Sequence, residues 1–129
     1  MKKLLAAALL FGLGLCAMAP AMAQVNAPIP SLQTALSNTA VQLKGAPGVL
    51  QWGSCYNPNA SIAYVQVFDA TSVTVGTTTP TEALPVPATT VASLPFPAQF
   101  FNAIKVAATT TATGGTAPGS ALVCNFGFN

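Results

Sequence analysis

"SCYNPNASIAYVQVFDA", residues 54–70, is the stretch on which the fold turns. Asn57-Pro58-Asn59-Ala60 has the composition of a tight turn, because proline presets φ and asparagine tolerates the left-handed region. From residue 62 to 70 nearly every position is apolar. Ile62, Tyr64, Gln66 and Phe68 share one face of an extended chain, and Ala63, Val65 and Val67 share the other. A strand apolar on both faces is central in its sheet, or covered on its outer side as well. Asp69 falls where the strand runs out, beside Ala70-Thr71-Ser72, a place for turn or strand-end chemistry.

The same pattern continues in both directions. Val41–Lys44 reads as a first strand, ended by Gly45-Ala46-Pro47-Gly48, and residues 49–56 read as a second. Val73-Thr74-Val75 either prolongs the strand that ends near Asp69 or makes a short new one. Pro80, Pro85 and Pro87 exclude a central strand in residues 76–90, and Pro95 and Pro97 do the same around Phe96. Both stretches read as edge strand or extended loop. Residues 103–110 read as a half-buried strand, with Ile104, Val106 and Ala108 facing one way and Lys105, Ala107 and Thr109 the other. Residues 121–128 read as the last strand, and "TATGGTAPG", residues 111–119, as the hairpin loop joining these two around Gly114-Gly115. No stretch sustains a 3.6-residue apolar period, while turn residues recur about every ten positions. The expectation is all-β: a single sandwich, jelly-roll or immunoglobulin-like, of about six to eight antiparallel strands over residues 41–129.

Two segments precede that domain. Residues 1–23 have the form of a secretory signal peptide: Lys2 and Lys3, an apolar run from Leu4 to Leu15, and Ala21-Met22-Ala23 before a cut at Ala23–Gln24. Cys16 suggests a lipoprotein, but Leu15 stands where a lipobox needs a small residue. The run is shorter than a membrane-spanning helix requires, so the expected product is secreted, periplasmic or at the cell surface. Residues 24–40 read as an extended arm around Pro28 and Pro30, with Ser31 able to cap one helical turn over residues 32–36. The arm carries Val25, Ile29, Leu32 and Leu36 and no charge. It should dock, along its own domain or by strand addition to a neighbour.

The formal charge of +2 resides in the leader; beyond it Lys44 and Lys105 balance Asp69 and Glu82, and Arg and His are absent. A nucleic-acid binder needs a basic footprint, and so does a protein held on anionic lipid. Without His, neither a Ser-His nor a Cys-His nucleophile pair can be assembled. Asp69 and Glu82 are the only carboxylates for a glycosidase-like pair, and the loop between them has no aromatic sugar platform. With a few carbonyls they would hold Ca²⁺ weakly at best. No catalytic residue, metal site or cofactor is expected, and the chain does not read as an enzyme.

Cys55 and Cys124 remain beyond the leader, an even count that predicts one disulfide in an oxidising compartment. It would close a loop of about 70 residues, worth up to ~4 kcal/mol. A reactive or metal-binding thiol pair would need a His or another Cys nearby. Cys124 shares a face with Leu122, Phe126 and Phe128, the core side. If Cys55 also points inward, Trp52 and Tyr56 point outward as contacts for a ligand or a neighbour, unless a bulge at Gly53-Ser54 resets the register. The other arrangement packs both rings under the arm or the proline-rich loops. Asn59-Ala60-Ser61 matches a glycosylation sequon, although its place in a turn accounts for the asparagine without a sugar.

"CYNPNASIAYVQVFDA" (55–70), "VTVGTTTP" (73–80), "LPVPA" (84–88) and "VAATTTATGGTAPGSALVCNFGFN" (106–129) together resemble small β domains encoded in tailed phages and environmental viral sequences. The resemblance covers residues 41–129, and the order of the motifs carries it. It implies a virion-associated, decoration-type β-sandwich with a structural role and no catalytic residues. The leader and the cysteine pair are additions to that pattern. The expected function is an exported, non-catalytic structural or assembly subunit acting through protein–protein contacts, self-association included. The alternative is a secreted ligand- or glycan-binding module using Trp52 and Tyr56. A neutral surface carried by Thr, Ser, Asn and Gln fits either one.

Overall fold

The computed structural model describes residues 27–129. The leader, the Ala23–Gln24 junction and the first residues of the arm lie outside the described residues. The strands are β1 (Ile29–Leu36), β2 (Val41–Lys44), β3 (Gly48–Tyr56), β4 (Ala63–Phe68), β5 (Glu82–Val86), β6 (Val91–Leu94), β7 (Ala98–Phe100), β8 (Ile104–Thr109) and β9 (Leu122–Phe128). All pairings are antiparallel. The first sheet has the order β1-β9-β3-β6, with β7 also on β3, and the second has the order β2-β8-β4-β5.

β6 and β7 lie end to end along one edge of β3, because Pro95 and Pro97 interrupt a single path. Counted as one, they reduce the nine segments to eight positions. The chain crosses between sheets at every connection except β4–β5 and the β6–β7 break. Two four-position sheets wound in this order form a jelly roll rather than an immunoglobulin sandwich.

The core lies between the sheets and follows the two-residue period of the strands, except in β3, where a register shift between Leu50 and Trp52 resets it. Leu50 and Cys55 of β3 and Leu122, Cys124 and Phe126 of β9 pack in one cluster with Val65 and Val67 of β4, Val86 of β5 and Val106 of β8. Burying each such aliphatic or aromatic side chain contributes about 1.5–3 kcal/mol. Cys55 and Cys124 are directly opposite across β3 and β9, their Cα atoms 4.1 Å apart, and they are joined as a disulfide.

Several local expectations change. Residues 32–36 form no helical turn: they belong to β1, with Ile29 opposite Phe128 and Gln33 opposite Cys124. The ladder along β9 satisfies the backbone that a single helical turn would leave half unpaired. Residues 73–75 form no strand and lead into a turn at Gly76. Residues 111–119 form no hairpin, since β8 and β9 lie in different sheets. That segment is drawn back over the second sheet by Gln66, whose Nε2 donates to the carbonyls of Thr111 at 3.3 Å and of Ala112 and Gly114 at 3.0 Å. β8 is consequently buried on both faces, Ala107 and Thr109 included, rather than half-buried.

Candidate functional site

Charge is segregated by the fold. Lys44 is in β2, Glu82 in β5 and Lys105 in β8, all strands of the second sheet, and Asp69 follows β4. No strand of the first sheet contains a charged residue.

The outer faces of the two sheets are treated differently. On the second sheet, Gln66, Phe68, Ala107 and Thr109 point away from the core yet are fully buried. The cover is the protein's own chain: the connection after β8 lies over Gln66. That connection meets the one after β4 where Gly76 touches Gly115, and a Cβ on Gly76 would come within 2.8 Å of Gly115 Cα. Gly76 also has φ of 88°, a conformation that L side chains rarely adopt. Asn38 Nδ2 holds the same loop by donating to Gly115 O at 2.8 Å.

On the first sheet, side chains facing away from the core form cross-strand rows. One row runs Val123 (β9), Tyr56 (β3), Val91 (β6); the next runs Leu32 (β1), Asn125 (β9), Ser54 (β3), Ser93 (β6); a third pairs Gly127 of β9 with Trp52. Trp52 is 37 % exposed, Tyr56 42 %, Leu32 62 % and Val91 67 %. A Cβ on Gly127 would overlap the Trp52 indole. The ring therefore packs against Gly127 of β9. In the middle row the side-chain oxygen of Asn125 is buried without a partner.

Trp52 and Tyr56 thus share one accessible face, and neither is packed away under the arm or the proline-rich loops. The register does shift, but between Leu50 and Trp52 rather than at Gly53-Ser54. That shift lets Leu50 stay in the core while Trp52, two residues on, points out. Leu32, Val91 and Val123 complete the face, and strand periodicity alone does not reveal them. Their grouping depends on which strands become neighbours.

The remaining polar residues serve the scaffold. The buried Asn57 donates through Nδ2 to Ser61 O at 2.9 Å, Val86 O at 3.0 Å and Pro87 O at 3.2 Å. Its Oδ1 accepts from the backbone and side-chain nitrogens of Asn59. Asn59 in turn donates to Ser120 O at 2.8 Å and accepts from Ser120 N at 2.6 Å. The sequon amide is thereby engaged within the fold. Asp69 accepts from the backbone N–H of Phe101 at 2.9 Å, Asn102 at 2.7 Å and Ala103 at 3.4 Å. The Phe101 N–H holds its carboxyl below the usual value; burial opposes it, and the N–H groups of Asn102 and Ala103 add to the lowering. It is a clamp between the end of β4 and the β7–β8 turn. Glu82, the other carboxylate of the described residues, is exposed at the start of β5. No three of His, Cys, Asp and Glu gather as a metal set among the described residues. A shallow cleft of about 260 Å³ lies between Asn59 and Pro118, smaller than most small-molecule sites and lined by no charged side chain.

Comparison with protein-family models, with curated proteins and with solved structures finds no match for this chain.

Proposed function

We propose that this is an exported, non-catalytic assembly subunit that packs the outer face of its first sheet against neighbouring copies. The observation that carries the reading is the contrast between the two outer faces. The second sheet is roofed by its own connections, whereas the first presents Trp52, Tyr56, Leu32, Val91 and Val123 without a charge. An exposed, charge-free face with an unbroken apolar row of Val123, Tyr56 and Val91 marks a contact site. A charge-free face can meet its own copy with neither repulsion nor the desolvation of ions. The disulfide fits an oxidising compartment, and among the described residues no helix is long and apolar enough to cross a membrane.

A second reading, a glycan-binding module, draws on the exposed Trp52 ring and on Ser54 and Ser93 in the neighbouring cross-strand row. The two separate under one comparison. Sedimentation over a concentration series should show wild-type protein assembling and Val91→Lys/Val123→Lys remaining at lower mass. Wild-type protein that stays monomeric while it binds soluble oligosaccharide would favour the module instead.

A further inference from the structure

We infer that the outer edge of β1 pairs with β1 of a second copy, antiparallel about a twofold axis centred on Leu32. Each of the other sheet edges is blunted. β5 carries Glu82 and Pro85, β6 and β7 are broken apart by Pro95 and Pro97, and β2 is four residues long, ends in Lys44 and has an irregular register. Charges, prolines, bulges and shortness are the devices by which sheets avoid joining edge to edge. β1 has eight residues, no charge, and a proline only near its start. Its register shifts only after Gln33, so its pairing with β9 is regular from Ile29 to Gln33, on both sides of Leu32.

The direction of its backbone groups follows from two independent facts. Pro30 lies opposite Gly127 and has no N–H, so that pair cannot exchange hydrogen bonds. Alternation then directs the N–H and C=O of Ser31 and Gln33 to β9, and those of Leu32 to the outer edge. The Cys55–Cys124 pair agrees. Its Cα separation of 4.1 Å is the short spacing of a non-hydrogen-bonded pair, so Cys124 directs its own N–H and C=O away from β3, toward Gln33 of β1. Among the described residues, Leu32 thus offers an outward donor, an outward acceptor and an exposed side chain at the same position.

The occupant is a second copy because, among the described residues, this is the one open edge. A self-complementary contact between two such edges closes as a dimer, whereas head-to-tail growth needs two different open surfaces. Leu32 and its symmetry mate would exchange two hydrogen bonds and pack side chain to side chain on the outer face. The two charge-free faces would then become one continuous surface. One strand junction buries less than a standard interface of about 1,200–2,000 Å². The dimer is therefore weak and depends on concentration.

This inference rests on the β1 edge and stands apart from the face reading, so its test uses the face variant Val91→Lys/Val123→Lys as background. Protein purified after expression from the full sequence should sediment as a monomer–dimer equilibrium in that background. Adding Leu32→Pro removes only an outward N–H and should lower the association constant ten-fold or more. Leu32→Lys, an exchange of an exposed side chain, should do the same if proline disturbs β1. Hydrogen exchange at the Leu32 amide should slow as concentration rises. A background variant that is monomeric at every concentration overturns the inference, even if wild-type protein assembles. So does a dimer indifferent to both substitutions, or Leu32 protection independent of concentration.

Discussion

Asp69 illustrates how a single residue can look catalytic and be structural. Its carboxylate collects N–H donors from Phe101, Asn102 and Ala103, and these favour the charged form. Because its folded pKa lies below the unfolded value of about 4, its stabilisation is complete above that value. It is lost as pH falls through the folded one. Asp69→Ala should cost about 1–2 kcal/mol at neutral pH, and urea melts of the variant should depend less on pH below about 4 than those of wild type. Asn57 matters more, since its amide ties the β3–β4 turn to the end of β5 and the turn after it. Asn57→Ala should cost about 3 kcal/mol or more, because several buried partners lose their hydrogen bonds together. Thr89 lies in the left-handed region with φ of 52°, where an L residue is about 1–2 kcal/mol unfavourable. Thr89→Gly should raise stability by up to about 1 kcal/mol once the greater entropy of unfolded glycine is subtracted; a lower melting temperature would contradict the strain argument.

At the scale of elements, β3 and β9 form the spine of the first sheet, and the disulfide fixes their register with Cys55 opposite Cys124. The loop it closes spans 69 residues; replacing both cysteines with alanine should cost about 4 kcal/mol in the chain-entropy model, read from denaturant midpoints. Much of this level was legible in the sequence. Turn residues bounded β2, β3 and β4, prolines marked β5 and the β6–β7 path as edge strand or extended loop, and parity put Cys124 with Phe126 and Phe128. What escaped were the consequences of long-range placement. Residues 111–119 have the composition of a hairpin loop, and distant partners, the buried Gln66 in β4 and Asn38, hold them back over the second sheet. β1 lacks an alternating pattern, because as an edge strand of the first sheet it has little to bury: Ile29 and Leu32 stay exposed. Its state was set by the open side of β9, which local sequence does not encode. The shift between Leu50 and Trp52 likewise breaks parity where no local residue announces it.

Over the whole molecule, the four charges of the described residues stay off the strands of one sheet, and the other sheet is roofed by the chain's own loops. The bare face and the open β1 edge meet at Leu32, so face contacts and strand pairing would extend the same surface. Fold alone does not choose a function for a jelly roll; the distribution of charge and cover over this one is what favours assembly. The direct measurement is sedimentation velocity of wild-type protein and Val91→Lys/Val123→Lys over a hundred-fold range of concentration, with circular dichroism confirming that both keep the β fold. The account predicts wild-type species larger than a dimer at the upper end, and a variant that stops at the dimer. Wild-type protein that remains monomeric throughout, or a variant that assembles as wild type does, would contradict it.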